Sequence, residues 1–120
     1  MLVNLSNHPS EKWGEKQLKI VQEEYGSVRD LPFPEIDPYS TSDEIDRIVE
    51  KYYQRIAKID PPAVMLQGEY IFTYRLICRL KEAGIKVIAG CSERRTIEYI
   101  NDDGMTTRKS EFEFVGFKEY

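Results

Sequence analysis

The stretch PPAVMLQGEYIFTYRLICRLKEAGIKVIAG, from Pro61 to Gly90, reads as a strand, a turn, a helix and a second strand in direct succession. Pro61-Pro62 ends whatever helix comes before, and Ala63 to Leu66 is a short buried strand. Gln67-Gly68-Glu69 is the turn after it, and Phe72, Leu76, Ile77 and Leu80 recur at helical spacing. Gly84 closes that helix, and Ile85 to Ala89 forms the next strand. Two strands joined through a helix run parallel, so this unit places the chain in the α/β class.

The same alternation extends toward the amino end. Leu2 to Ser6 is an apolar strand, and Asn7-His8-Pro9-Ser10 punctuates a strand-to-helix turn. Trp13, Leu18, Val21 and Tyr25 then mark a helix over about Glu11 to Tyr25, stopped by Gly26, with a second strand from Ser27 to Leu31. Three prolines between Pro32 and Pro38 make that segment an extended connection. Thr41 and Glu44 stand at capping-box spacing, and Ile45, Ile48, Val49, Tyr52 and Ile56 give an amphipathic helix to about Ile59.

Beyond Ala89, the run Gly90-Cys91-Ser92-Glu93-Arg94-Arg95 is expected to be a loop. Thr96 to Ile100 and the stretch holding Phe112, Phe114 and Phe117 then form an antiparallel hairpin about Asn101-Asp102-Asp103-Gly104. Together these elements predict one domain over residues 1–120: a mainly parallel sheet of order 2-1-3-4, helices on both faces and a C-terminal antiparallel hairpin. The first and third strands are then neighbours whose helices leave toward opposite faces, and the crevice at their carboxyl ends is the expected ligand site.

Bulk properties narrow the function classes. With 120 residues, 41% of them hydrophobic and 32% charged, the chain suits a single core. The amino terminus reads as a strand instead of a signal, and no run approaches the ~18 apolar residues of a membrane helix. Cys78 and Cys91 lack zinc or redox spacing and are expected as buried thiols of a reducing, cytoplasmic compartment. A net charge of -4 disfavours a partner such as long nucleic acid, so any phosphate recognition must be local. Neither a P-loop, GxGxxG after the first strand, HExxH nor a His-Cys cluster is present, which leaves nucleoside triphosphate hydrolysis and zinc chemistry without support; no cofactor is expected.

Three constellations carry polar chemistry. Ser6, Asn7, His8 and Ser10 precede a helix whose free N–H groups favour an anion, and His8, the sole histidine, can move a proton near neutral pH. Gln67, Gly68 and Glu69, with Thr73, follow the third strand; Gln67 suits a base edge or ribose hydroxyl and Gly68 a close backbone approach, while Glu69 is read first as a helix-start carboxylate. Ser92, Arg94 and Arg95 supply hydroxyl and guanidinium groups for a phosphate clamp, although adjacent strand residues point to opposite faces. Trp13, Tyr25, Tyr52 and Tyr53 have helical spacing and are read as packing residues.

Taken together, the Asn7-His8-Pro9 turn, the stretch Gln67 to Tyr74, Ser92-Glu93-Arg94 and the closing Phe112 to Tyr120 resemble the small stand-alone CRISPR-associated proteins of type III systems grouped as ring nucleases. The resemblance is best from about Val64 to Tyr120, and Trp13 and Gln17 are similar to a related branch of that group. It implies a Rossmann-like three-layer α/β sandwich and a homodimer that binds a cyclic oligoadenylate messenger and linearises it without a metal; the alternatives are a sponge or sensor that binds the messenger without cutting it, and a small interaction domain with no nucleotide ligand. It further implies His8, Ser92 and Arg94 as catalytic residues, with Ser6, Asn7, Ser10, Gln67, Gly68, Glu69, Thr73 and Arg95 around the ligand.

Overall fold

The computed structural model describes residues 1–120. In chain order the elements are β1 (Leu2–Ser6), a 3-10 turn (Ser10–Lys12), α1 (Glu15–Tyr25), β2 (Val28–Asp30) and α2 (Ser42–Ile59). They continue with β3 (Ala63–Gln67), α3 (Tyr70–Glu82), β4 (Val87–Ile100) and β5 (Thr106–Glu119). The five strands form one mixed sheet of order β2-β1-β3-β4-β5, parallel throughout except for the antiparallel β4–β5 pair. None of the helices is long and apolar enough to cross a membrane.

Strand periodicity divides the core between the two faces. Val3, Leu5, Val64 and Leu66 meet Ile45, Val49, Tyr52 and Ile56 of α2 and Phe72, Leu76 and Leu80 of α3. Their strand neighbours Leu2, Ala63 and Met65 instead join Trp13 and Val21 on the α1 side. β1, fully buried and flanked by parallel neighbours, is the spine of the sheet. Helix α2 begins at the expected capping box, with Glu44 N donating to Thr41 Oγ1 at 3.2 Å. The proline-rich connection carries neither helix nor strand and is pinned by its own side chains and carbonyls. Phe33 meets Phe72 edge-on at 5.3 Å, and the Tyr52 hydroxyl donates to Pro32 O at 2.9 Å.

Three expectations are corrected. Residues 90–95 are not a loop: β4 continues from Val87 to Ile100, so the fourth strand and the first hairpin strand are one element. Ladder bonds to β5 hold it extended in the register Ser92↔Phe114, Arg94↔Phe112 and Arg95↔Glu111. The register shifts between Cys91 and Ser92, which pair with Gly116 and Phe114, so Val115 is the extra residue of a bulge on β5 beside Gly116, whose φ of 155° suits glycine. Past that bulge the two strands leave the body as an arm, which explains extents of 56 × 39 × 22 Å and a radius of gyration of 17.5 Å, against about 14 Å for a compact chain of this length.

The first helix starts at Glu15, not Glu11, because the chain turns extended at Trp13 and Gly14. Trp13 is buried there, its indole N–H donating to His8 O at 3.0 Å. Nor are the cysteines buried: Cys78 is exposed and Cys91 intermediate. The buried residues of α3 are Phe72, Thr73, Leu76 and Leu80, and Cys78 falls outside that stripe.

The carboxyl end closes on the core. Tyr120 donates its hydroxyl to Leu66 O at 2.7 Å, while its carbonyl accepts from Lys81 Nζ at 2.8 Å. Burial, then the neighbouring Cys91, pushes the phenol above its usual pKa and keeps it a donor.

Phe72 is fully buried and stacks edge-on with both Phe33 and Tyr52. Phe72→Ala is expected to cost about 3–5 kcal/mol, read as a lower denaturant midpoint in equilibrium unfolding.

Candidate functional site

The larger cleft, about 530 Å³, opens between the start of α1 and the base of the arm, at the carboxyl end of β3. Gly14 caps α1 without a side-chain bond, and Gly14, Glu15, Lys16 and Gln17 all line the cleft. The first N–H groups of a helix have no partner within it and carry its positive dipole end, so this wall favours an anion. Lys12, Lys16 and the exposed His8 add cationic or protonatable groups, and Glu15 and Glu113 oppose them. Lys16 reaches Glu113 at 3.5 Å, whereas Lys12 takes part in no ion pair. Across from the helix, Phe112 and Phe114 form an aromatic wall, with Phe112 73% exposed.

Of the residues singled out in the sequence, His8, Gln67 and Ser92 meet in this cleft. Gln67 is already engaged: its Oε1 accepts from Gly90 N at 2.8 Å, and its Nε2 lies 3.5 Å from Gly90 O. That clasp ties the end of β3 to β4 and leaves one amide proton and one lone pair for a ligand. Ser92 lines the cleft with Gly90, two residues before it on β4, as ordinary strand alternation places them on one face.

The others lie elsewhere. Ser6 and Asn7 border a second cleft of about 410 Å³ with Asn4, Asp30 and Phe33. Ser10 N and Oγ both donate to the Asp30 carboxylate, at 3.1 and 2.9 Å to Oδ2, so the anion in front of this turn is the protein's own. The anion-favouring helix start is therefore that of α1, four residues beyond the expected one at Glu11. Glu69 caps α3, accepting from Ile71 N at 3.0 Å and Phe72 N at 2.7 Å. Thr73 is buried within α3, its Oγ1 without a partner. Close approach at Gly68 is used by the Phe33 ring, which a β-carbon at Gly68 would overlap. Arg94 donates to Ser110 Oγ at 3.2 Å, and neither arginine lines the cleft; Arg95 pairs with the cleft residue Glu113 at 2.9 Å and with Glu93 at 3.4 Å.

Sequence reading missed Lys12, Lys16, Glu15, Phe112 and Phe114 as cleft residues. The available signal was Gly14, a poor helix residue inside a helical pattern, which marks where α1 starts. It also missed Asn4, whose side chain donates to His8 O at 3.0 Å and Asp30 Oδ1 at 2.9 Å and accepts from Ser6 Oγ at 2.7 Å. An asparagine inside an apolar strand was the clue, since a buried amide needs partners.

Among families of known sequence, the one described as Uncharacterized protein MJ1673 family matches residues 1–118. No curated protein matches the chain. The contact at Gly68 is directly testable: Gly68→Ala displaces Phe33 and is expected to cost about 1–3 kcal/mol, seen as a lower melting temperature in calorimetry.

Proposed function

We propose that this chain, which belongs to the MJ1673 family, binds a cyclic oligoadenylate messenger in the cleft between α1 and the arm and linearises it. One observation carries the reading. An uncapped helix start flanked by Lys12 and Lys16 faces an exposed aromatic ring, Phe112, across one cleft. A ligand with both phosphate and a base uses both walls: phosphate on the N–H groups and lysines, adenine against Phe112 and Phe114. The Rossmann-like reading of the fold adds that the cleft lies at the carboxyl end of a central parallel strand, β3.

Linearisation needs alignment more than a new reagent. The ribose 2'-oxygen attacks the adjacent phosphorus and the bond to the 5'-oxygen breaks, leaving a 2',3'-cyclic phosphate and a 5'-hydroxyl. His8 is the proton-transfer group at the cleft, and Ser92 and the α1 N–H groups stabilise the charge on phosphorus oxygens. A four-nucleotide ring is larger than one cleft of about 530 Å³, so two copies of the chain share the ring. Such a signal acts in the cytoplasm, without membrane or long nucleic acid as partner.

A second reading, capture without cutting, is favoured by Arg94. Its guanidinium is turned onto Ser110 instead of into the cleft, which removes the strongest cation from the expected catalytic set.

The test is incubation of the chain with cyclic tetra-adenylate and cyclic hexa-adenylate in chelator, with products separated and weighed by mass spectrometry. Linear products ending in cyclic phosphate are expected. Lys16→Ala is expected to weaken binding about tenfold, and His8→Ala to slow cleavage about a hundredfold with binding retained. Tight retention of intact rings selects capture, and no binding of either ring overturns both readings.

A further inference from the structure

We propose that the free edge of β5 pairs antiparallel with the same edge of a second copy of this chain, about a two-fold axis at Ser110. β5 is the last strand of the sheet, fourteen residues long and without proline, so its outer N–H and C=O groups are a template for another strand. β3 pairs with β4 only at Val87 and Ile88, and beyond the bulge β4 and β5 stand alone as a two-stranded arm. An isolated ribbon of two strands is marginal in water, and this one exposes Ile97, Tyr99, Ile100, Met105 and Phe112.

The order of charges names the occupant. Along β5, Arg108 and Lys109 precede Ser110, and Glu111 and Glu113 follow it. Antiparallel pairing about Ser110 lays the basic half of each strand along the acidic half of the other, with Lys109 opposite the partner's Glu111 on both sides of the axis. A uniformly acidic or basic partner satisfies only half of this strand, and parallel pairing sets like charge on like. Ion pairs within the arm, Arg108–Glu98 at 2.9 Å and Lys109–Glu111 at 3.5 Å, are exposed and free to be shared across such an edge.

The pairing supplies the second copy that the shared-ring reading requires, and it is measured without any nucleotide. Sedimentation of the full chain is expected to give a dimer. Arg108→Glu with Lys109→Glu makes the strand acidic, and Glu111→Lys with Glu113→Lys makes it basic. Each double variant alone is expected to raise the dimer dissociation constant about tenfold or more, and mixing the two in equal amounts restores a dimer. Ser110→Cys, which keeps every charge, is expected to cross-link two copies under mild oxidation where the unmodified chain, with Cys78 and Cys91 alone, does not. A monomeric chain at tens of micromolar, dimers indifferent to both charge reversals, or Ser110→Cys that fails to cross-link overturns the proposal. A chain that dimerises on cyclic oligoadenylate but is indifferent to both charge reversals defeats this pairing and leaves the ligand reading standing; a dimer that binds none does the reverse.

Discussion

An amide buried in the central strand has to be satisfied, and the functional end of the molecule is organised by how this is done. Asn4 is 1% exposed in the middle of β1. Its Nδ2 donates to both His8 O and Asp30 Oδ1, and its Oδ1 accepts from Ser6 Oγ. Three segments are thereby tied at one point: the strand itself, the turn after it and the end of β2. The knot propagates through His8 O, which also accepts the Trp13 indole N–H, and through Asp30, which holds Ser10. Leaving such a group unpaired costs about 1–3 kcal/mol, so the turn has little freedom to rearrange around a ligand. The Ser6 to Ser10 turn is thus a structural joint, and its effect on the cleft is indirect. It sets where Trp13 packs, where Gly14 releases the chain and therefore where the α1 N–H groups point.

A second joint sits across the sheet. Gly68 admits the Phe33 ring, Phe33 meets Phe72, and Phe72 meets Tyr52, whose hydroxyl returns to Pro32 O. The proline-rich connection is thus locked to the turn between β3 and α3. Glu69 closes the start of α3 with two backbone bonds, and Gln67 clasps Gly90. The third-strand turn spends most of its polar capacity on the fold. What stays open to solvent is the α1 side, where Lys12, Lys16, His8 and Phe112 have little else to bind.

Much of this was legible one residue at a time. The Thr41 and Glu44 pair announced α2, because a capping box is a local bond between residues three apart. The apolar runs of β1 and β3, the glycines ending the helices and the prolines of the connection are likewise local. The cleft was legible only in part. His8, Gln67 and Ser92 were named and do meet, but the lysines carried no pattern separating them from an ordinary solvated helix. Arg94 and Arg95 sit on a strand that buries neither face there, so no apolar alternation revealed that residues 92–95 continue it into the hairpin strand expected from Thr96.

By itself the sequence determined the alternation of strands and helices, their caps and stops and the parallel order of the first four strands. Those features follow from short-range sterics, hydrogen bonding and the period of apolar residues. Only the tertiary structure decided that β4 runs on through the arginines, that Asp30 reaches back to Ser10 and that Phe112 stands across from the start of α1. Each rests on contacts or ladder pairs between residues at least sixteen positions apart. Its energy depends on which surfaces the finished sheet brings together, and no local pattern records that.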